Sequence, residues 1–116
     1  MNDFIKKMTM KAKENPQRIA FPEATNVDIL RTAEQVVSTG IGFPVLLGKK
    51  ETIEAIAEEN QVNTSGFEYY DYSIEETRKQ LAKNYIKKYD DFSEKAVLRK
   101  SKDPVRCAMY LLKLEF

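Results

Sequence analysis

"RIAFPEATN", residues 18–26, is the stretch on which the fold turns. Arg18-Ile19-Ala20-Phe21 is an apolar run of strand length, and Thr25-Asn26 are residue types that open helices. Thr25 with Asp28 three residues on resembles a capping box. Val27, Leu30, Ala33 and Val37 follow at helical spacing, and Gly40 is a natural stop. A strand running straight into a helix predicts a βα unit. Between the two stands Pro22-Glu23-Ala24, where phosphate-cradling turns usually carry glycine.

The same alternation continues downstream. Pro44-Val45-Leu46-Leu47 is apolar without polar alternation, as in a parallel strand covered on both faces. A helix begins near Lys50 and turns Ile53, Ile56 and Ala57 inward; "NQVNTSG", residues 60–66, is a loop. "FEYYDY", residues 67–72, reads as the third strand. Ser73 and Glu76 form a capping box for a helix over 74–88 with Ile74, Leu81 and Tyr85 inward. Asp90-Asp91 breaks it. A short helix capped by Ser93 carries Ala96 and Val97. Asp103-Pro104 is a cap followed by proline at the first helical position, opening a last helix with Val105, Ala108, Met109 and Leu112. Upstream, Phe4, Ile5, Met8 and Ala12 mark a helix over 2–15, ended by Asn15-Pro16. The order α-β-α-β-α-β-α-α-α predicts an α/β fold: three layers around a small, mainly parallel sheet. Three strands are few for so many apolar helix faces, so residues 1–116 read as one amino-terminal α/β segment of a larger domain.

Composition narrows the chemistry. Nineteen basic and eighteen acidic residues nearly cancel, so nucleic acid and anionic membranes are not expected partners. With no histidine and a single cysteine, Cys107, imidazole catalysis, a structural zinc site and an internal disulfide are excluded. No signal peptide is visible, and the apolar runs are too short for a bilayer. A cytoplasmic protein without a metal is expected.

Two blocks carry a family resemblance. The first is "NPQRIAFPEATNVDILRTAEQVVSTGIGFPVLLGKKETIEAIAEE", residues 15–59, with Phe21-Pro22-Glu23, Ile41-Gly42 and Leu46-Leu47-Gly48. The second is "FSEKAVLRKSKDPVRCAMYLLKL", residues 92–114, with Asp103-Pro104, Ala108-Met109 and Lys113-Leu114. Together they resemble the amino-terminal part of the phosphate acetyltransferase and butyryltransferase family, the phosphotransacetylases. The resemblance implies a fold like the first part of the isocitrate and isopropylmalate dehydrogenases. It also implies transfer of a short acyl group between coenzyme A and phosphate in a cleft between two domains. Coenzyme A, acyl phosphate and phosphate are then substrates, with no tightly bound cofactor. The family's catalytic serine, arginine and aspartate lie in its later part, so no catalytic residue is assigned here, and the segment is expected to be inactive alone. Family members continue from Lys-Leu into Gly-Glu; here Glu115-Phe116 follow, so the resemblance leads one to expect a truncated chain.

Each candidate site has a plainer reading beside it. Pro22-Glu23 lies where α/β folds bind ligands, at the carboxyl end of a strand, or Glu23 simply complements a helix amino terminus. Gly48-Lys49-Lys50 opens a helix where an anion would relieve the cations, or the lysines are merely solvated. Lys87 falls, counting back from Asp103-Pro104, on the position of a family arginine that holds a coenzyme A phosphate; Lys87-Lys88 equally suits a helix carboxyl terminus. The tyrosines of 67–72 suit a strand better than a binding platform. Cys107 is expected to be buried and inert. A non-catalytic α/β binding module is the alternative function. A phosphoacceptor receiver would need an acidic cluster at its strand ends, which a lone Glu23 does not supply. Unpaired sheet edges and the apolar breadth of the last helix predict a homo-oligomer.

Overall fold

The computed structural model describes residues 3–89 and 93–115, with the side chains of 3–6, 8, 9 and 115 outside that description. The inward placing of Phe4, Ile5 and Met8 and the Asp90-Asp91 loop therefore lie outside the described residues. The elements are α1 (Asp3–Glu14), β1 (Gln17–Phe21), α2 (Val27–Thr39), β2 (Gly42–Leu47), α3 (Lys50–Glu59), β3 (Glu68–Tyr70), α4 (Glu75–Lys88), α5 (Glu94–Lys100) and α6 (Pro104–Glu115). The three strands form one parallel sheet in the order β1-β2-β3.

β2 explains the layering. Its side chains alternate between the two faces. Leu46 packs with Leu30 and Ala33 of α2 and Ile53 and Ala57 of α3. Val45 and Leu47 pack on the other side with Leu81 and Tyr85 of α4, Val97 of α5 and Cys107 and Tyr110 of α6. A strand covered twice has no polar alternation, which is why 44–47 is wholly apolar. Pro44 lacks a ladder donor, yet it is tolerated: β3 begins to pair only at Val45, so β2 is still an edge there. On the α4–α6 side, Arg18 of β1 reaches across β2 to an ion pair with Glu68 of β3.

Local signals held at several termini. Gly40 takes the left-handed C-cap conformation, φ 71°, that the end of α2 requires. Ser93 accepts from the Ala96 N–H, and Asp103 accepts from the Val105 N–H at 2.9 Å. Others are corrected. Asn26, not Thr25, caps α2, its side chain accepting from the Asp28 N–H at 2.9 Å. Ser73 does not cap α4: its N–H and hydroxyl both go to the Asp71 carboxylate. Ile74 takes the cap position, without a side-chain bond, and is exposed rather than inward. β3 covers only 68–70, because a turn closes Phe67 onto Thr64 and Asp71 starts an Asx turn. Val105 and Met109 are exposed, so the buried stripe of α6 runs through Cys107, Ala108 and Tyr110.

Candidate functional site

The carboxyl ends of the three strands open onto one crevice of about 260 Å³, lined on three sides by the turn after β1 (Pro22, Ala24, Thr25), the start of α3 (Gly48, Lys49, Thr52, Ile53) and Asp71–Ser73. This is where parallel sheets place ligands. Each wall has its own cause. In the first, Ala24 is buried in the α2–α3 core while Glu23 stays exposed. Pro22-Glu23-Ala24 is thus a plug: the chain leaves β1, tucks a methyl under the sheet end and turns into α2 with the Asn26 N–H on the Glu23 carbonyl, 3.1 Å. A glycine there would forfeit that apolar contact.

The second wall is the β2–α3 turn. Gly48 has φ 142°, a conformation that disfavours side chains, and its N–H donates to the Tyr70 carbonyl at 2.9 Å. Lys49 caps α3 with its backbone only, so the first amides of the helix have no side-chain acceptor on the cap and the positive end of its dipole meets the crevice. Of the two lysines, only Lys49 lines the crevice. Lys50 lies along the outside of α3, 4.0 Å from Glu54 and 5.8 Å from the Tyr69 ring centre.

The third wall, 71–73, rests on a feature the sequence did not flag. Arg78 is 7% exposed, and its Nη1 donates to the Tyr72 carbonyl. Its Nε has no acceptor among the described residues. The Tyr70 hydroxyl donates to the Thr77 carbonyl at 3.2 Å and lies close to Cys107. Burial, above all, pushes the Tyr70 phenol up, with Cys107 adding to the rise and Arg78 opposing it. Burial likewise raises the Cys107 thiol from 9.0 to about 11, against a lowering by Arg78 and Tyr70. A thiol held protonated is no nucleophile, so Cys107 is buried and inert, as its apolar neighbours imply.

That shift has a consequence in alkali. The folded chain keeps a proton that the unfolded chain loses, so the stabilisation is complete below pH 9 and is lost as pH climbs to about 11. Two units set a ceiling of about 3 kcal/mol. Urea unfolding of the wild type should weaken over this window, and Cys107→Ala should show a shallower fall; parallel pH profiles would remove the thiol as the cause.

Lys87 is exposed in the last turn of α4. That helix starts at the crevice, and at 1.5 Å per residue Lys87 stands about 18 Å along its axis from Glu75. The structure therefore does not bring Lys87 together with Glu23 and Lys49. Its neighbour Lys88 donates to the Lys113 and Leu114 carbonyls at 2.9 and 3.3 Å, and the Tyr89 hydroxyl to Lys113 at 2.9 Å. Lys88 thus satisfies the carboxyl terminus of α6, a neighbouring helix rather than its own.

Among the described residues no cluster of acidic or sulfur side chains could hold a metal ion, and no helix is long and apolar enough to cross a membrane. The family model for "Phosphate acetyl/butaryl transferase" matches residues 3–115. The chain belongs to this family. A solved phosphate acyltransferase structure, the EutD phosphotransacetylase from Staphylococcus aureus, superposes with a TM-score of 0.76 at 17% identity, over 95% of this chain and 34% of that one. At that identity the likeness shows the α/β fold. Two NADP-dependent malic enzymes are similar over 53 residues, 28% identical in Salmonella typhimurium and 30% in Escherichia coli. Each stretch is 46% of this chain and 7% of the malic enzyme. The chain thus spans about a third of the phosphotransacetylase and a small fraction of the malic enzymes it matches.

Proposed function

We propose that this chain is the amino-terminal segment of a phosphate acyltransferase that moves an acetyl or other short acyl group between coenzyme A and phosphate in the cytoplasm. The family match over 3–115 carries the reading. The crevice at the carboxyl edge of the sheet supports it, since it offers the uncapped end of α3 and Lys49 to an anionic ligand. In the reaction, a coenzyme A thiolate attacks the acyl carbonyl and phosphate leaves, and anion-binding groups stabilise the charge that develops. The segment supplies one wall of the cleft and ligand contacts; the groups that act on the reacting atoms belong to the remainder of the family's length. Adding coenzyme A to the ¹⁵N-labelled chain should shift the amides of Gly48, Lys49, Thr52 and Ser73. A spectrum unchanged at millimolar coenzyme A would remove the ligand role.

Lys87 is the second contact in this proposal, reaching a coenzyme A phosphate from the far end of α4. Coenzyme A is long enough to meet both ends of the helix only in an extended pose. In a full-length homologue of this sequence, Lys87→Ala should raise KM for coenzyme A about tenfold or more, the worth of one charge-assisted bond, and leave KM for acetyl phosphate nearly unchanged. Small and equal changes in both would make Lys87 a surface lysine.

A further inference from the structure

We propose that Arg78 is a positioning residue for the crevice: it never touches the ligand, but fixes the 71–73 wall through the Tyr72 carbonyl. This rests on the reading of the crevice as the ligand site. Arg78 is a poor choice for a core. The residue is 7% exposed and its Nε has no acceptor among the described residues. It acts on the Tyr70 phenol and the Cys107 thiol, both held neutral, and its Nη1 donates to a backbone carbonyl. Burying a cation without a carboxylate is less favourable than burying an apolar side chain of the same length. Its contribution is thus placement rather than packing.

The geometry shows what is placed. Residues 71–74 leave β3 and must turn into α4 without a side-chain cap on that helix. Two side-chain contacts hold them, beside the backbone bonds from the Ile74 N–H to the Asp71 carbonyl, 3.4 Å, and from the Arg78 N–H to the Ile74 carbonyl, 3.2 Å. The Asp71 carboxylate takes the Ser73 N–H at 3.0 Å and the Ser73 hydroxyl. Arg78, one turn into α4, takes the carbonyl between these two residues. The first anchor is local and exposed, so it moves with the turn. Of these two side-chain contacts, only the second reaches from the turn into the helix; the Tyr72 ring packs on the core beside it. Asp71, Tyr72 and Ser73 all line the crevice, so a shift of the Tyr72 carbonyl displaces a carboxylate and a hydroxyl from its mouth together.

Native-state hydrogen exchange on Arg78→Met and Arg78→Lys tests this. Arg78→Met should speed exchange of the Ser73 amide about tenfold, the effect of one lost bond. The Gly48 amide, which bonds Tyr70 within the sheet, should be unchanged. Arg78→Lys keeps a donor and should restore most of the Ser73 protection. Coenzyme A should bind Arg78→Met about tenfold more weakly than wild type. Equal acceleration at Ser73 and Gly48 would reduce Arg78 to a structural residue and overturn the proposal, as would unchanged protection at Ser73. Faster Ser73 exchange with undiminished affinity would sever the wall from the ligand and overturn it too. Failure of the wild type to bind coenzyme A would sink the proposed function while leaving the Ser73 result readable. If Arg78→Met does not fold, the wild type decides. Its Arg78 Nη protons should be slowly exchanging and show through-space contacts to Tyr72 and Ser73; a freely rotating guanidinium without those contacts would refute the anchor.

Discussion

Tyr85→Ala is expected to lower the unfolding free energy by about 3–5 kcal/mol, the range for removing a large buried ring. Tyr85 is 1% exposed, the largest of the fully buried side chains. Its ring centre lies 4.9 Å from that of Tyr89 and 4.7 Å from that of Tyr110, the latter edge-on. Such ring pairs contribute about 0.5–1.5 kcal/mol beyond the area they bury. Alanine would lose both pairs and leave a cavity where α4 meets α6. Lys83→Ala, on the exposed side of the same helix, should change stability by less than about 0.5 kcal/mol. Urea denaturation of the three proteins gives the comparison. A Tyr85→Ala unfolding free energy within about 1 kcal/mol of wild type would mean that α4 and α6 can close around the gap.

The purified 116-residue chain should not transfer acetyl groups between acetyl phosphate and coenzyme A. This follows from the proposed division of labour. Stabilising a developing oxyanion needs preorganised donors aimed at the reacting carbon, and removing one such donor typically costs 10²–10³ in rate. The crevice offers Lys49 and helix amides on one side, with Asp71 and Ser73 on the other. Two groups nearby with a displaced pKa, Tyr70 and Cys107, are pushed toward their neutral forms. A coupled assay for acetyl coenzyme A, read against a buffer blank, decides it. Turnover above the blank would place catalytic groups inside these 116 residues.

The fold was legible because its signals were periodic. The apolar run 44–47 announced a twice-covered strand, and the alternation of strand and helix announced the parallel sheet. Gly40, Ser93 and Asp103 worked as caps because each needs only its own turn. The errors arose where two local interactions competed. Ser73 had a helix to cap, but Asp71 lies two residues before it and claims both its donors. Asn26 displaced Thr25 by the same short reach. The site was less legible. Pro22-Glu23 pointed to the right edge of the sheet, yet the inward residue is Ala24. Arg78 looked like one more charge in a lysine-rich helix. Only its place one turn into the helix, six residues after Tyr72, could have suggested otherwise, and that spacing is common to many solvated arginines.

The two faces of the sheet also differ in how much of the chain they require. The α2–α3 face draws on β1 through β3, each strand beside its sequence neighbour. The opposite face closes only when α6 lies under β1 and Cys107 and Tyr110 reach Val45 and Leu47. Its contacts join residues about sixty positions apart at β2 and about ninety at β1, so loop closure makes it the slower half to form. During synthesis, one side of β2 is therefore clothed early, and the other stays partly bare, with only α4 and α5 to cover it, until α6 has emerged. The Arg18–Glu68 pair on that bare side would meanwhile keep charge beside Val45, where a naked sheet is most apt to stick to its neighbours.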